Sequence, residues 1–262
     1  YNHPELEASR IKGIPVISRA ELLGEIMKMY EYSIAISGTH GKTTTTSMIS
    51  SCLIEAGKDP TVHIGGILDS IGGTTRIGNS AYFVTEACEY KDSFLKFKPY
   101  VGVVLNIEPD HLDYFRDIEH IQRSFSCFAG QIQQKGFFVG NADDERVSLI
   151  MQKLGCRAVS YGLTSSEANW TARRITFDEN GFASFSVVHN KRSLFRLKLG
   201  IPGLHNVSNS LACFAVCHSL GIPVEIIKKA LTKFKSPRRR FEHNGVVDGI
   251  RVVDDYAHHP TE

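Results

Sequence analysis

The sequence predicts an α/β fold: a P-loop-type, mostly parallel sheet flanked by helices, with a small antiparallel subsheet. Three observations predict it. A buried strand at residues 33–36 leads through the turn Ser37-Gly38-Thr39-His40-Gly41-Lys42-Thr43-Thr44 into an amphipathic helix. Up to residue 161, short β-branched runs then alternate with helical stripes, as in a parallel sheet covered by helices. Over residues 169–199 the apolar period drops to two, which marks antiparallel hairpins.

Composition narrows the class. The 262 residues suffice for one large domain or two small ones. With 42% apolar and 22% charged residues the balance is that of an ordinary globular protein. A net charge of +2 sets up no strong field for nucleic acid or a membrane surface. No apolar run approaches the ~18 residues of a membrane span. The chain opens on Tyr1 and stops at Glu262 directly after a dense polar motif, so both ends read as cut from a longer protein. Cys52, Cys88, Cys127, Cys156, Cys213 and Cys217 include no C-x-x-C and mostly sit in apolar stretches. Reduced cytosolic thiols that pack as small hydrophobes are the simple reading. Cys213 and Cys217 are one helical turn apart, but no His pair accompanies them, which favours packing over zinc.

In chain order, residues 13–17 read as a short strand. A helix follows from an N-cap at Ser18, with Glu21 completing a capping box and Leu22, Leu23, Ile26, Met27 and Tyr30 as its stripe. Residues 1–32 read as the tail of a preceding domain plus a linker. Residues 45–56 form the helix after the glycine turn, with Met48, Ile49, Cys52, Leu53 and Ala56 on one face. Residues 64–66 and 72–76 read as a loop rich in glycine and hydroxyls, either wrapping a ligand's phosphates or sugar or serving as a connector. Strands at 81–85, 101–105, 136–140 and 158–161 alternate with helices at 117–134 and 146–154. Turns at Asp178-Glu179-Asn180-Gly181 and Asn190-Lys191 separate the antiparallel strands. A helix opens at Asn206, another follows Pro223, and a strand at 250–253 leads into the polar end of the chain.

The chemistry collects where strands end. Strand, glycine turn, Lys-Thr and helix are the parts of a phosphate-binding loop: backbone close approach at Gly38 and Gly41, a helix N-terminus for the anion, Lys42 for the β- and γ-phosphates, and the Thr43 hydroxyl for Mg²⁺. The strict G-x-x-x-x-G-K-[ST] pattern fails at Ile36, and the shorter G-T-x-G-K-T fits. Glu86 opens Glu86-Ala87-Cys88-Glu89 at a strand's carboxyl end, where it can be a Mg²⁺ ligand or a solvated carboxylate. His111, between Asp110 and Asp113, leaves the next strand end and can take a site role, although magnesium prefers oxygen. Asn206 and Asn209 share one helix face, where they cap the helix or read a base edge. Arg238-Arg239-Arg240-Phe241 alone reads as a solvated basic turn. His258 and His259 make a poor metal pair, because adjacent residues on a strand point oppositely, so this stretch reads as a hinge or a site edge.

In order, Gly38-Thr39-His40-Gly41-Lys42-Thr43-Thr44, Glu86-Ala87-Cys88-Glu89, Asn106-Ile107-Glu108-Pro109-Asp110-His111-Leu112-Asp113, Pro202-Gly203-Leu204-His205-Asn206-Val207-Ser208-Asn209, Arg239-Arg240-Phe241 and Asp254-Asp255-Tyr256-Ala257-His258-His259-Pro260 resemble the motifs of the Mur ligases. The resemblance covers nearly the whole chain. It implies residues 1–32 as the end of an N-terminal UDP-binding domain, 33–242 as a central ATP-binding domain and 243–262 as the start of an amino-acid-binding domain. It implies a cytoplasmic ATP- and Mg²⁺-dependent ligase of peptidoglycan precursor synthesis. That enzyme would join L-alanine to the carboxylate of UDP-N-acetylmuramate through an acyl phosphate. Muropeptide-recycling and folylpolyglutamate-type ligases share the pattern, and a non-catalytic ATP-binding module is the alternative of another class.

The resemblance also implies roles. Gly38, Thr39, His40, Gly41, Lys42, Thr43 and Thr44 would cradle the phosphates. Thr43, Glu86 and His111 would approach metal. Asn206 and Asn209 would contact adenine, and Asp255 and Tyr256 would line the ribose side of a hinge. Lys42, Arg240 and His258 would act in catalysis, His258 as the base. Relatives that add later peptide residues carry a carbamylated Lys in the helix after D-H-x-D. Here that helix offers Ser124-Phe125-Ser126, which fits the branch that lacks it.

Overall fold

One ten-stranded sheet carries the molecule, and its strand order explains where the chemistry gathers. The computed structural model describes residues 3–259 and 261, so Pro260 of the terminal motif lies outside the described residues. The strands are β1 (Tyr32–Ser37), β2 (Thr61–Leu68), β3 (Gly73–Arg76), β4 (Tyr82–Glu86), β5 (Val101–Val104), β6 (Phe137–Asn141), β7 (Arg157–Gly162), β8 (Trp170–Phe177), β9 (Phe182–His189) and β10 (Arg192–Pro202). Their order across the sheet is β10-β9-β8-β7-β6-β5-β1-β4-β2-β3. From β2 through β8 every neighbour pair is parallel, and the antiparallel pairs are confined to β2–β3 at one edge and β8–β9–β10 at the other. The sequence-predicted architecture therefore holds, with the antiparallel strands continuing the main sheet.

After α1 (Pro4–Ile11), which has no buried residue, helices cover both faces: α2 (Arg19–Met27), α3 (Lys42–Glu55), α4 (Ile118–Gly130), α5 (Glu145–Lys153), α6 (Leu204–Ser219) and α7 (Val224–Lys233). The period-two alternation of the strands sorts their side chains between two cores. Ile34, Ile36, Val84, Val103 and Val139 face one core, where α3, α6 and α7 contribute Met48, Ile49, Val207, Leu211 and Leu231. Ala35, Phe83, Val104 and Phe138 face the other, built with Met27 of α2 and Ile121, Phe125 and Phe128 of α4. The Phe94 ring stacks on Phe128 at 4.9 Å and meets Phe125 edge-on at 5.2 Å. Phe125, in the stretch where a Lys was sought, is thus a fully buried core residue.

Several expectations are met in detail. The Ser18 capping box forms, with Ser18 N donating to Glu21 Oε2 and Glu21 N to Ser18 Oγ. Asn190 and Lys191 both take positive φ, as a two-residue hairpin turn of the mirror-image type requires. Three expectations need correction. Residues 13–17 form no strand: Pro15 lacks a donor, and Ile14, Val16 and Ile17 are about half exposed with no neighbour to pair with. The glycine-rich stretch expected as a loop is the β2–β3 hairpin, pinned on its inner side by the parallel β2–β4 register. The helix after the glycine turn also starts three residues early, at Lys42.

Beyond α7 the chain leaves the large sheet. A separate antiparallel pair, β11 (Glu242–Val247) and β12 (Ile250–Asp254), carries exposed Val246, Val247, Ile250 and Val252. Cys52, Cys213 and Cys217 meet where α3 packs on α6, all fully buried, with Cys52 Sγ 3.5 Å and Cys217 Sγ 3.9 Å from Cys213 Sγ. Burial pushes the Cys52 and Cys213 thiols up, which keeps them neutral as core packing requires.

Candidate active site

Central strands β1, β4 and β5 end side by side, and their carboxyl ends build the site. The turn after β1 needs two glycines in positions other residues resist: Gly38 has φ +139° and Gly41, the N-cap of α3, has φ +82°. A Cβ at Gly41 would lie 2.8 Å from Asn209 Oδ1, so the loop sits directly against α6. The segment after β5 clamps the loop from the other side. Thr39 N donates to Asn106 O, His40 N donates to Asn106 Oδ1 at 2.8 Å, and Asn106 Nδ2 returns a bond to His40 O. Glu108 N donates to Thr39 Oγ1 at 2.9 Å.

Within that clamp Lys42 Nζ folds back on the loop. It donates to the carbonyls of Gly38 and Thr39, and to Glu89 Oε1 at 3.0 Å. The Glu89 side chain is only 3% exposed, and its Oε2 is buried with no hydrogen-bond partner among the described residues. An ionised buried carboxylate with one unsatisfied oxygen is costly unless a cation or donor completes it. His111 Nε2 stands 3.8 Å from Glu89 Oε1 and 3.8 Å from Asp110 Oδ2. Glu89, Asp110 and His111 present ligand atoms close enough to share one cation. The His111 ring rests on Tyr90 at 4.7 Å, and Tyr90 OH donates to Asp113 Oδ2 at 2.8 Å. Burial first and the Glu89 charge second hold the thiol of Cys88, between the two glutamates, above the ordinary range.

The two acids of the β4 end go to different places. Glu89 joins Lys42 and His111. Glu86 Oε1 instead accepts from Gly65 N at 2.6 Å, and the adjoining Gly66 would, with a Cβ, sit 3.1 Å from Thr43 Cγ2. The residues expected around metal are thus split, with His111 on the Glu89 side and Thr43 beside the Gly65–Gly66 strand end that holds Glu86.

Asn206 and Asn209 are both buried at the start of α6. Asn206 Nδ2 donates to Pro202 O, and Asn209 Nδ2 donates to Asn206 Oδ1. The remaining expected residues form one patch at the end of the chain. The guanidinium groups of Arg239 and Arg240 lie 4.7 and 5.6 Å from the Tyr256 ring centre. Asp255 accepts from Phe241 N and Ala257 N, and His258 Nδ1 meets Tyr256 O at 3.0 Å. Arg238 anchors this patch beside β2 through Ile67 O and Asp69. His259 goes further, reaching the phosphate loop at His40.

Sequence reading missed Glu89, Asn106 and Glu108 as site members. The signal for Glu89 was present, an acid three residues beyond a strand end. Asn106 is the second residue past β5, where its amide can reach a neighbouring strand's loop.

Comparison with known proteins now adds to this geometry. The Mur ligase middle domain model matches residues 36–217. A UDP-N-acetylmuramate–L-alanine ligase of Acetivibrio thermocellus is 54% identical over 261 residues, covering 100% of this chain and 56% of the relative. The crystal structure of UDP-N-acetylmuramate-alanine ligase MurC from Thermotoga maritima superposes with a TM-score of 0.85 at 30% identity, covering 98% of this chain and 58% of that one. A murein peptide ligase from Psychrobacter arcticus superposes with a TM-score of 0.81 at 27% identity, covering 99% of this chain and 58% of that one. The chain spans little more than half the length of the curated relatives it matches.

Proposed function

Because the chain belongs to the Mur ligase family, we propose that it supplies the ATP-binding and phosphoryl-transfer part of a cytoplasmic ligase. That enzyme joins L-alanine to the carboxylate of UDP-N-acetylmuramate in peptidoglycan precursor synthesis. The observation that carries the reading is the Lys42–Glu89 pair: a lysine held at the mouth of a phosphate loop by a buried carboxylate whose second oxygen has no partner among the described residues.

The reading gives each group a task. The lactyl carboxylate attacks the γ-phosphate of ATP, the β–γ bond breaks and ADP leaves as an acyl phosphate forms, and the amine of L-alanine then displaces phosphate to give the amide. Lys42 moves from the loop carbonyls to the β- and γ-phosphates, since a helix N-terminus and an ammonium together favour an anion there. The donor set fits magnesium, which takes carboxylate oxygens readily: Glu89 with its orphaned oxygen and Asp110, with His111 adjoining, while the Thr43 hydroxyl and Glu86 would approach the metal from the Gly65–Gly66 side. When bound, Mg²⁺ neutralises phosphate charge as it develops. Arg240 would approach the transferred group from the terminal patch. His258 would take the proton from the amine. Asn206 and Asn209 would face the adenine, and Asp255 and Tyr256 the ribose. Catalysis of this kind is chiefly positioning and charge screening.

The test is phosphate release by the protein that carries this chain, with ATP, Mg²⁺ and UDP-N-acetylmuramate, adding L-alanine or a tripeptide in turn. Release only with L-alanine is expected. Release only with the tripeptide would assign the recycling reaction instead, and release with neither would overturn the ligase reading. Lys42→Ala is expected to abolish both release and Mg·ATP binding.

A further inference from the structure

A second cluster of ligand-bearing side chains stands beside the phosphate loop, and the tasks proposed above leave Glu108 and His259 unused. His40 Nε2 lies 3.4 Å from Glu108 Oε2, and His259 Nδ1 lies 4.0 Å from the same oxygen. The two imidazole rings face each other with centroids 4.4 Å apart. The side chains of His40 and His259 are mostly shielded from solvent, and that of Glu108 partly so. The three residues come from three places in the sequence: the phosphate loop, the segment after β5, and the chain's end. Their convergence is therefore a product of the fold.

We propose that His40, Glu108 and His259 form a site for a zinc-type transition-metal dication, separate from the magnesium set. Two observations support it. The first is spacing. A tetrahedral ion with bonds of about 2.0–2.2 Å to nitrogen and oxygen needs donors roughly 3.4 Å apart. The separations of 3.4 and 4.0 Å are within a small side-chain adjustment of that. The second is the surrounding shell. His259 Nε2 stands 3.2 Å from Pro109 O, a carbonyl that can only accept. That contact places the ring proton on Nε2 and leaves Nδ1 as an acceptor, filled by Thr261 N at 3.2 Å; a metal at Nδ1 would take the place of that bond, with Pro109 O orienting the ring as a metal-bound histidine is oriented. Thr261 Oγ1 donates to Glu108 Oε2 at 2.7 Å and fixes the carboxylate. The His40 backbone is held at both N and O by Asn106.

The chemistry separates the two cation sites. Two imidazoles and one carboxylate suit zinc, cobalt or nickel, whereas the oxygen-rich Glu89–Asp110 set suits magnesium. A dication at His40 and His259 ties the end of the chain to the phosphate loop. Its binding and nucleotide binding are then coupled reciprocally, each changing the other's affinity by the same factor.

The experiment is a cobalt(II) titration of the chain in excess Mg²⁺, followed by absorption and calorimetry. The expected result is one cobalt equivalent that His259→Ala and Glu108→Gln each weaken by roughly tenfold or more, a change no smaller than that from losing an outer-shell partner. Cys213→Ser keeps that equivalent, and its spectrum shows no sulfur-to-cobalt charge transfer. Lys42→Ala keeps it too, so failure of the ATP reading and failure of this one are distinguishable. Equal cobalt binding by the wild type and His259→Ala would overturn the proposal, as would loss confined to Cys213→Ser.

Discussion

Asp144 offers a direct test of how the site is held in place. One carboxylate oxygen accepts from Val147 N at 3.0 Å and so caps α5, while the other accepts from Ile107 N at 2.9 Å. Ile107 lies between Asn106 and Glu108, both of which clamp the phosphate loop, and it is fully buried. Asp144→Ala removes both bonds. Loss of the cap costs about 1 kcal/mol, and the stranded N–H of Ile107 costs about 1–3 kcal/mol more, for roughly 2–4 kcal/mol in total. Asp144→Ser keeps a capping oxygen but has no second one for Ile107, so its loss is about 1–3 kcal/mol. Urea unfolding of the three proteins, with Mg·ATP affinity measured alongside, reads both effects. Serine is expected to fall between alanine and wild type in stability and to weaken nucleotide binding as alanine does. If the two variants were equally destabilised, or if alanine cost under about 0.5 kcal/mol, the tether argument would be wrong.

Other expectations follow from single contacts. Glu89→Gln should weaken Mg²⁺-dependent nucleotide binding by far more than Glu86→Gln, measured as the Mg²⁺ concentration needed for half-saturation; the reverse order would return the cation to the Glu86 side. Gly41→Ala should lose stability by about 1–2 kcal/mol from the left-handed backbone alone, and more because Asn209 must shift, as read from a urea midpoint. The pH dependence should carry an Asp143 component. Burial alone would raise this carboxyl, but the Thr164 hydroxyl and the N–H groups of Leu163, Ser165 and Thr164 hold it below its ordinary value. A depressed carboxyl stabilises the fold above its unfolded pKa of about 3.9, and that contribution is lost as pH falls through the lower folded value. Acid unfolding of Asp143→Asn should therefore be less steep below about pH 4 than that of the wild type.

The parts legible in the sequence were those whose cause is local. The Ser18 capping box and the Asn190-Lys191 turn each depend on a few adjacent residues and form where expected, and the glycine turn leads into α3 as expected, though the helix starts three residues early. Misreadings came where partners are distant. Gly65 and Gly66 look like loop residues, but β2 is held by pairing with β4, and its glycines let Glu86 and Thr43 approach closely. Residues 13–17 have strand-like side chains and nothing to pair with. Glu89 lies three residues past the end of β4, beyond the position Glu86 occupies, so a strand-end rule does not single it out. The chain after Glu89 then passes through Lys91 and Asp92 at positive φ, with Asp92 bonded to Ser124 and Tyr114. That kinked path packs Phe94 into the core and sets the backbone course on which Glu89 meets Lys42, and no local pattern announces it.

The geometry also says why lysine and carboxylate can wait together without collapsing the loop. Lys42 is 17% exposed and Glu89 3%, so the pair is more strongly coupled than a surface salt bridge, yet one side of it still meets solvent. Lys42 keeps two carbonyl acceptors in the loop, and Glu89 keeps one oxygen unmatched. An incoming polyphosphate with its cation can therefore take Lys42 from one partner and complete the other, exchanging one set of charge-assisted bonds for another. The loop backbone does not have to move for this exchange, because Asn106, Glu108 and Asn209 hold it from outside the pair. A site arranged this way is organised before its ligand arrives. Most of the binding energy is then available for positioning the phosphate to be transferred, and little is used in ordering the loop.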